Sequence, residues 1–424
     1  MFHARARFRR LVPSQQWERN VWVVIAAIFV SFSGFTIVMP FLPIYVQELG
    51  VRDPGEIALW SGVIFGVSPL LAGLMAPVWG SLADRFGHKA MFVRSLVVFF
   101  FIALLMGFAT SVVQLFLLRI LWGIFGGMGV MAITMISTSA PEAKSGAAIG
   151  RLQAAQLLTN ASGPLFGGVL ASTIGIRRTF LVSACLYGAS LASVVFLYNE
   201  PAKGTAPRRV KQRLPLRKLV LLPALVPLAG VLFLSQFVDR SINALLPLYL
   251  AVLGTSAGAI ALWAGVMTSV AAVISAFAAS TVGRLSASRS SRGLLLASLV
   301  GGAVAALALA VVQNAPQLFA ARLLLGLLAG GTTTLAFTLG NQLLPRDSRG
   351  ASFGLISTGS MVGGGLSPVV AGAIATVNLR WVYITGAVLF AASALIALRL
   401  PSRGVSETDA ESVGGDVRQG ASAR

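Results

Sequence analysis

Of the 13 acidic residues in this 424-residue chain, Asp239 alone stands deep inside a long apolar stretch, residues 224–252. Gln236, Arg240 and Asn243 flank it at i−3, i+1 and i+4, which on a helix draws a polar stripe. A carboxylate in such a place is costly, and a functional role is the default expectation. It can carry a proton where burial disfavours its charge, whereas the adjacent Arg240 would hold it charged. A permanently paired structural Asp–Arg site is the competing reading. Two more cations lie inside apolar stretches, Arg119 in 113–139 and Arg322 in 316–344. Charge transfer is one role for them, and a backbone bond or snorkelling to the interface is the other.

Gln153, Gln156 and Asn160 fall on one helical face, since i, i+3 and i+7 coincide. Phe32, Phe35, Thr36 and Met39 add an aromatic, Met-bearing segment. Together they would make the adaptable wall of a small-molecule pocket. Helix packing and lipid contact are the plainer role for any one of these aromatics. Cys185 is the single cysteine, and His3 and His88 are the only histidines, so a Cys/His metal site and an internal disulfide are both excluded. No GxxxxGK[ST] phosphate loop occurs, which excludes a Walker-type ATP motor. No nucleophile or acid/base cluster marks an enzyme, and no cofactor is expected.

These residues must be positioned by membrane-spanning helices. Hydrophobic residues make up 56% of the chain and charged residues 11%. A soluble domain carries about 25% charge, so this chain cannot cover a water-facing surface, and it is too apolar to be disordered. Stretches of about 20 apolar residues span a bilayer. Twelve qualify: 21–46, 57–82, 90–109, 113–139, 147–172, 179–198, 224–252, 258–283, 293–312, 316–344, 350–376 and 381–400. The first is expected to be retained rather than cleaved as a signal peptide. The expected organisation is a basic segment 1–20, a six-helix bundle 21–198, a linker 199–223, a second bundle 224–400 and a disordered tail 401–424.

The net charge of +20 would suggest nucleic acid on a soluble protein. Its placement says otherwise. Only Arg52, Arg177, Arg178 and Arg380 fall on the side opposite the N-terminus, and Arg119, Arg240 and Arg322 fall well inside spans, whereas Arg94, Arg151 and Arg399 fall near the N-terminal-side ends of theirs. The other Lys and Arg residues cluster on the N-terminal side. By the positive-inside rule both termini are cytoplasmic, and a nucleic-acid partner is not expected.

The two halves repeat at an offset of 203–204 residues. Pro43-Ile44-Tyr45 matches Pro247-Leu248-Tyr249, Ala58-Leu59-Trp60 matches Ala261-Leu262-Trp263, and Arg119 matches Arg322. Pro164 likewise matches Pro368, and Arg177 matches Arg380. Two six-span copies of the same orientation are related by an axis along the membrane normal, with a path between them. GxxxG pairs at Gly62/Gly66, Gly123/Gly127, Gly163/Gly167 and Gly326/Gly330 are read as sites of close helix approach.

Gly80-Ser81-Leu82-Ala83-Asp84-Arg85-Phe86-Gly87-His88-Lys89 resembles the signature loop of the major facilitator superfamily, with His88 where Arg or Lys is usual. The second copy, Gly283-Arg284-Leu285-Ser286-Ala287-Ser288, lacks the acid. Leu115, Arg119, Trp122 and Gly123 resemble the superfamily's helix-four motif. Gly163-Pro164-Leu165-Phe166-Gly167-Gly168 resembles the antiporter motif of its drug–proton exporters, although Ala154 stands where an upstream glycine is usual. The segments 39–46, 60–62 and 77–85 are also similar to multidrug exporters of this superfamily. The resemblance spans roughly residues 20–400.

It implies an all-α fold of twelve transmembrane helices in two pseudo-symmetric halves. It implies export of amphiphilic small molecules in exchange for protons, with the proton gradient as energy source, from a bacterial inner membrane by a single copy. Gly80, Asp84, Arg85, Gly87 and Lys89 would form a gate motif, the acid meeting the start of helix eleven near Gly350-Ala351-Ser352 when the inner side is closed. A carboxylate there gains about 0.3–1 kcal/mol from the helix dipole. A solvated loop is the alternative. Asp239, Arg240, Arg119 and Arg322 would be the coupling candidates, and Gly163, Pro164, Gly167 and Gly168 would bend and pack helix five. An uptake symporter on the same fold is the nearest rival, and a non-transporting polytopic protein a more distant one.

Overall fold

The computed structural model describes residues 2–199, 222, 224–344 and 349–400; the side chains of 2–15 and of some helix-end residues, Gly80 and Asp84 among them, lie outside that description. The expected linker and tail therefore lie almost wholly outside it. In the first half run α1 (Phe2–Thr36), a 3-10 turn (Met39–Phe41), α2 (Leu42–Glu48), α3 (Pro54–Phe86), α4 (His88–Gly107), α5 (Val112–Ile124), α6 (Met128–Ser139), α7 (Glu142–Ile174) and α8 (Ile176–Leu197). In the second run α9 (Leu225–Val252), α10 (Ala257–Leu285), α11 (Ser291–Val311), α12 (Ala315–Ala329), α13 (Thr332–Leu343), α14 (Arg349–Val377) and α15 (Leu379–Ala397). No strand occurs among the described residues.

Among the described residues, ten stretches are long and apolar enough to cross a membrane. The predicted spans four and five are helical but are not among those ten. Span four is broken: α5 ends at Ile124, and α6 begins after Gly127, whose φ is +107°. Only glycine enters that region freely, so a run read as one apolar span becomes two short helices. Span five is the 33-residue α7, interrupted in composition by its polar face and carrying Pro164 in its interior. At the N-terminus, α1 runs unbroken from Phe2, so the basic segment expected apart from the first span is part of its helix.

The repeat is visible in individual bonds. Tyr45 donates to Met106 O, and its counterpart Tyr249 donates to Leu309 O. Ser111 caps α5 by accepting from Gln114 N, as Asn314 caps α12 by accepting from Gln317 N. Lys89 Nζ donates to Val195 O and Tyr198 O at the end of α8, and Arg292 Nη2 donates to Leu398 O at the end of α15. Cations at helix C-termini satisfy free carbonyls and oppose the negative end of the dipole. Some of the charges that set the topology thus also cap helices.

Within the first half, α4 packs on α8 and α1 packs on α7 and α8; within the second, α9 packs on α14 and α15, and α11 on α15. The halves meet chiefly along two seams, α3 against α14 and α7 against α10.

Candidate functional site

The two seams are closed at one end only. On α3 a Cβ added at Gly62 would overlap Pro368 O, and one at Gly66 would overlap Gly365 O. Gly372 of α14 approaches Ala58 O in the same way, with 2.5 Å to an added Cβ. On the other seam, Gly265 of α10 lies against Pro164 O, and Gly168 of α7 against Ala261 O. These are backbone-to-backbone contacts between the halves, possible only without side chains. The Leu165 N–H also donates to Ser269 Oγ at 2.9 Å, a hydrogen bond from α7 to α10 just past Pro164.

The same helix faces come apart toward the other end. Gly73 continues the Gly62/Gly66 face of α3 and has nothing within 4 Å of an added Cβ; Met361 continues the facing stripe of α14 and is exposed. Leu157 on α7 and Val273 and Phe277 on α10 repeat the pattern on the second seam. Gly150 and Gly354, near the starts of α7 and α14, have nothing within 4 Å of an added Cβ. The structure is a cleft open at the end that holds Lys89 and Arg292 and sealed at the end that holds Pro54 and Thr376.

The antiporter-like motif serves two neighbours at once. Gly163 accepts Thr36 at the end of α1 and Gly167 accepts the backbone of Ile37 just after it, while Pro164 and Gly168 accept α10. Thr36 is accordingly buried, donating within its own helix and to Thr159 O, and Met39 is buried as well. These two of the predicted wall residues are packing elements. Phe32 and Gln156 do converge, both about 4 Å from an added Cβ at Gly129 of α6. Gln153 and Asn160 are exposed on α7, Gln153 on the splayed part.

Arg119 is fully buried, at 1% exposure. Its Nε donates to Ile64 O at 3.1 Å, and its own carbonyl accepts from Ser68 Oγ at 2.6 Å, tying α5 to α3. Nη1 has no partner, and no acid among the described residues pairs with it. An aromatic group formed by Phe35, Phe99, Trp122 and Tyr187 surrounds this region: Phe99 stacks on Trp122 at 4.5 Å, and Arg119 lies 5.8 Å from the Trp122 ring. Phe35, a member of the predicted wall, thereby packs on the Trp122 ring that lies beside Arg119.

In the second half, Arg322 is also buried, and its Nη2 donates to Asn243 Oδ1 at 2.6 Å. Asn243 Nδ2 in turn donates to Asp239 O. The Asp239 carboxylate forms no direct ion pair with Arg322 in this state. The expectation of a buried Asp239 is corrected: its side chain and that of Arg240 are exposed, because α9 faces the cleft at mid-length. Arg240 lies along Gly364 of α14, and Gln236 is half-buried. Tyr383 was not found by sequence reasoning. It is buried beside this cluster with an unpartnered hydroxyl, stacked at 4.7 Å on Tyr249. Its apolar surroundings in sequence gave no signal.

At the signature loop, Gly87 adopts φ +97°, ending α3 and starting α4. Arg85 is exposed, 5.3 Å from the Phe86 ring. Lys89 is engaged by α8 of its own half. Gly80 and the Asp84 carboxylate lie outside the described side chains, as do Gly350 and Ala351, where the acid was expected to dock.

A family model for the Major Facilitator Superfamily matches residues 24–313 and 228–419. The chain belongs to that superfamily. It is a multi-pass membrane transporter, not an enzyme. Among curated relatives of this facilitator, a multi-drug resistance efflux pump PmrA homologue of Lactococcus lactis is 34% identical over 381 residues, covering 88% of this chain and 92% of that one. The multidrug resistance protein MdtG of Escherichia fergusonii is 33% identical over 339 residues, covering 78% and 82%. Among solved structures, a bacterial homologue of the human lysosomal transporter Spinster, in an inward-facing and occupied conformation, superposes with a TM-score of 0.75. That likeness covers 91% of this chain and 98% of the other at 16% identity, and it speaks to the fold alone.

Proposed function

We propose that this facilitator exports amphiphilic drugs or similar small molecules in exchange for protons, by alternating access, from a bacterial inner membrane with both termini cytoplasmic. The observation that carries the mechanism is the pair of seams, closed by backbone contacts at one end and splayed at the other. Such a cleft is one state of two rigid halves rocking about a central site. The positive-inside distribution supports assigning the open end to the cytoplasm. The efflux names of relatives sharing a third of the sequence support drug export. No cofactor is required beyond the proton gradient, and a single copy holds the whole cleft.

Asp239 is the proposed proton carrier, exposed on the helix whose Asn243, one turn further on, holds Arg322. In the opposite state it would be enclosed and reach Arg322 itself. Arg119 serves the first half, and Asp84 would latch onto the start of α14 when the open end closes. Energised inverted vesicles, a panel of dyes and an internal pH probe test this reading. Dye uptake with proton release from the vesicle lumen supports antiport. Uptake of protons together with substrate indicates a symporter, and no dye movement at all overturns the transport reading.

A further inference from the structure

The break in helix four is held by a clamp that the sequence did not reveal. A helix end leaves carbonyls without partners, and inside a bilayer each such group is costly. At the end of α5, Trp79 Nε1 donates to Ile124 O at 2.6 Å, and Arg94 Nη2 donates to Phe125 O at 3.1 Å and to Gly126 O at 3.5 Å. Arg94 lies over Trp79, its guanidinium carbon 3.5 Å from the ring centroid, and Trp79 stacks on Phe125 at 5.9 Å. A planar cation is suited to this, because it can stack with its face and donate with its edge. Three segments are thereby gripped at one point: α3 by Trp79, α4 by Arg94, and the Phe125–Gly127 break between α5 and α6.

The position of the clamp is informative. Trp79 comes five residues before Asp84, and Arg94 comes five residues after Lys89. The clamp thus brackets the gate loop on both sides. Its other jaw ends the helix that carries Arg119, itself bonded to α3 at Ile64. Arg94 Nε and Nη1 are buried without partners in this state, so the guanidinium has donors left with which to regrip carbonyls if α6 swings. Among the described residues the second half has nothing equivalent. At the repeat offset Trp79 becomes Val282 and Arg94 becomes Ala297. The second break is closed instead by Val282 packed on Gly331, with no positive φ.

We propose that Arg94, seated on Trp79, is a positioning residue that transmits movement of the gate loop through the break in helix four to Arg119. This rests on the transport reading above. The charge-capped break occurs only in the half that retains the acidic gate loop, which is where such a linkage is needed.

The test uses the full chain in proteoliposomes, with Cys185→Ser as background and spin labels at Gly150→Cys and Gly354→Cys. In the parent, the distance between these labels should change between acid and neutral pH, and on adding whichever panel dye the vesicles export. A parent that neither moves nor exports any dye sinks the transport reading itself. Given a working parent, Arg94→Gln should bind the dye within about twofold of the parent yet export it about tenfold more slowly or worse. Its label distance should no longer respond to pH. Arg94→Lys and Trp79→Phe, each retaining part of the clamp, should recover part of both readouts. Parental export and label response in Arg94→Gln overturn the proposal. So does loss of fold, dye binding and export together in all three variants, because the clamp is then only a structural cap.

Discussion

Gly265→Ala separates a seam that merely packs from one that must open and close. The added methyl carbon overlaps Pro164 O and lies 3.2 Å from both Gly168 Cα and Pro164 C. All three are backbone atoms of α7, so no side chain can swing aside. Overpacking of this kind costs about 1–3 kcal/mol. Replacing glycine by alanine in a helix interior also returns about 1 kcal/mol, but it does so in both states and cancels from their ratio. If the seam is intact only while this end is closed, the closed-to-open ratio falls about 5- to 150-fold. The Gly150/Gly354 label pair measures it: the open-cleft distance should lose population to a shorter one. Gly258→Ala is the control, since Gly258 lies on the same helix with nothing within 4 Å of its added Cβ, and its distribution should stay parental. An unchanged distribution in a folded Gly265→Ala protein would refute the argument. It would mean that α7 and α10 stay locked in every state and that the halves do not rock about this seam.

Ser269→Ala removes the hydrogen bond to Leu165 N and should move the same distribution in the same direction by less, about 1 kcal/mol or fivefold, read with the same labels. Asp239→Asn should insert and fold normally but uncouple: dye movement in vesicles should no longer release protons, and unchanged proton release would exclude Asp239 as carrier. Asp84→Asn should reduce export while leaving the amount in the membrane unchanged, and parental export would exclude the latch. Asn243→Ala strips Arg322 of its side-chain acceptor and should lower thermal stability by about 1–3 kcal/mol, with a smaller loss if Asp239 takes over the bond.

The parts legible in sequence were those that depend on local composition or on the repeat. Apolar length gave nearly every helix, since a bilayer demands it. The offset between copies matched Tyr45 with Tyr249, and this pair makes equivalent bonds. The GxxxG spacing marked close approach at its other glycines but not at Gly127, where the glycine makes the left-handed turn instead, and it did not give the partner. Gly123 packs on Ser68 of its own half, whereas Gly62 and Gly66 pack on α14 of the other. Spacing within one helix carries no information on which helix comes opposite. The break in helix four was missed because a positive φ at one glycine has no signature inside an apolar run. Arg94 was overlooked for a related reason: counted as one of many cytoplasmic-side cations, it looked like a topology charge.

What the copies share and what they do not divides the chain by role. The conserved offset maintains caps, tyrosine bonds and the prolines of the two seams, which is what two rigid, similar bodies require in order to rock. Symmetric halves alone have no reason to prefer a direction or to bind a proton. The residues proposed for those tasks stand where the copies diverge. Asp84 corresponds to Ala287, Arg94 to Ala297, and Asp239 to Phe35, an aromatic residue against Trp122. Even the matched pair Arg119 and Arg322 differs in company, one among aromatic rings and a backbone carbonyl, the other bonded to Asn243 near a carboxylate. On this view duplication built the hinge, and a handful of unmatched charges turned the motion into coupled exchange. An engineered second copy of the clamp, Val282→Trp with Ala297→Arg, should then leave proton coupling where it is. If it moved coupling into the second half, the division of roles would be wrong.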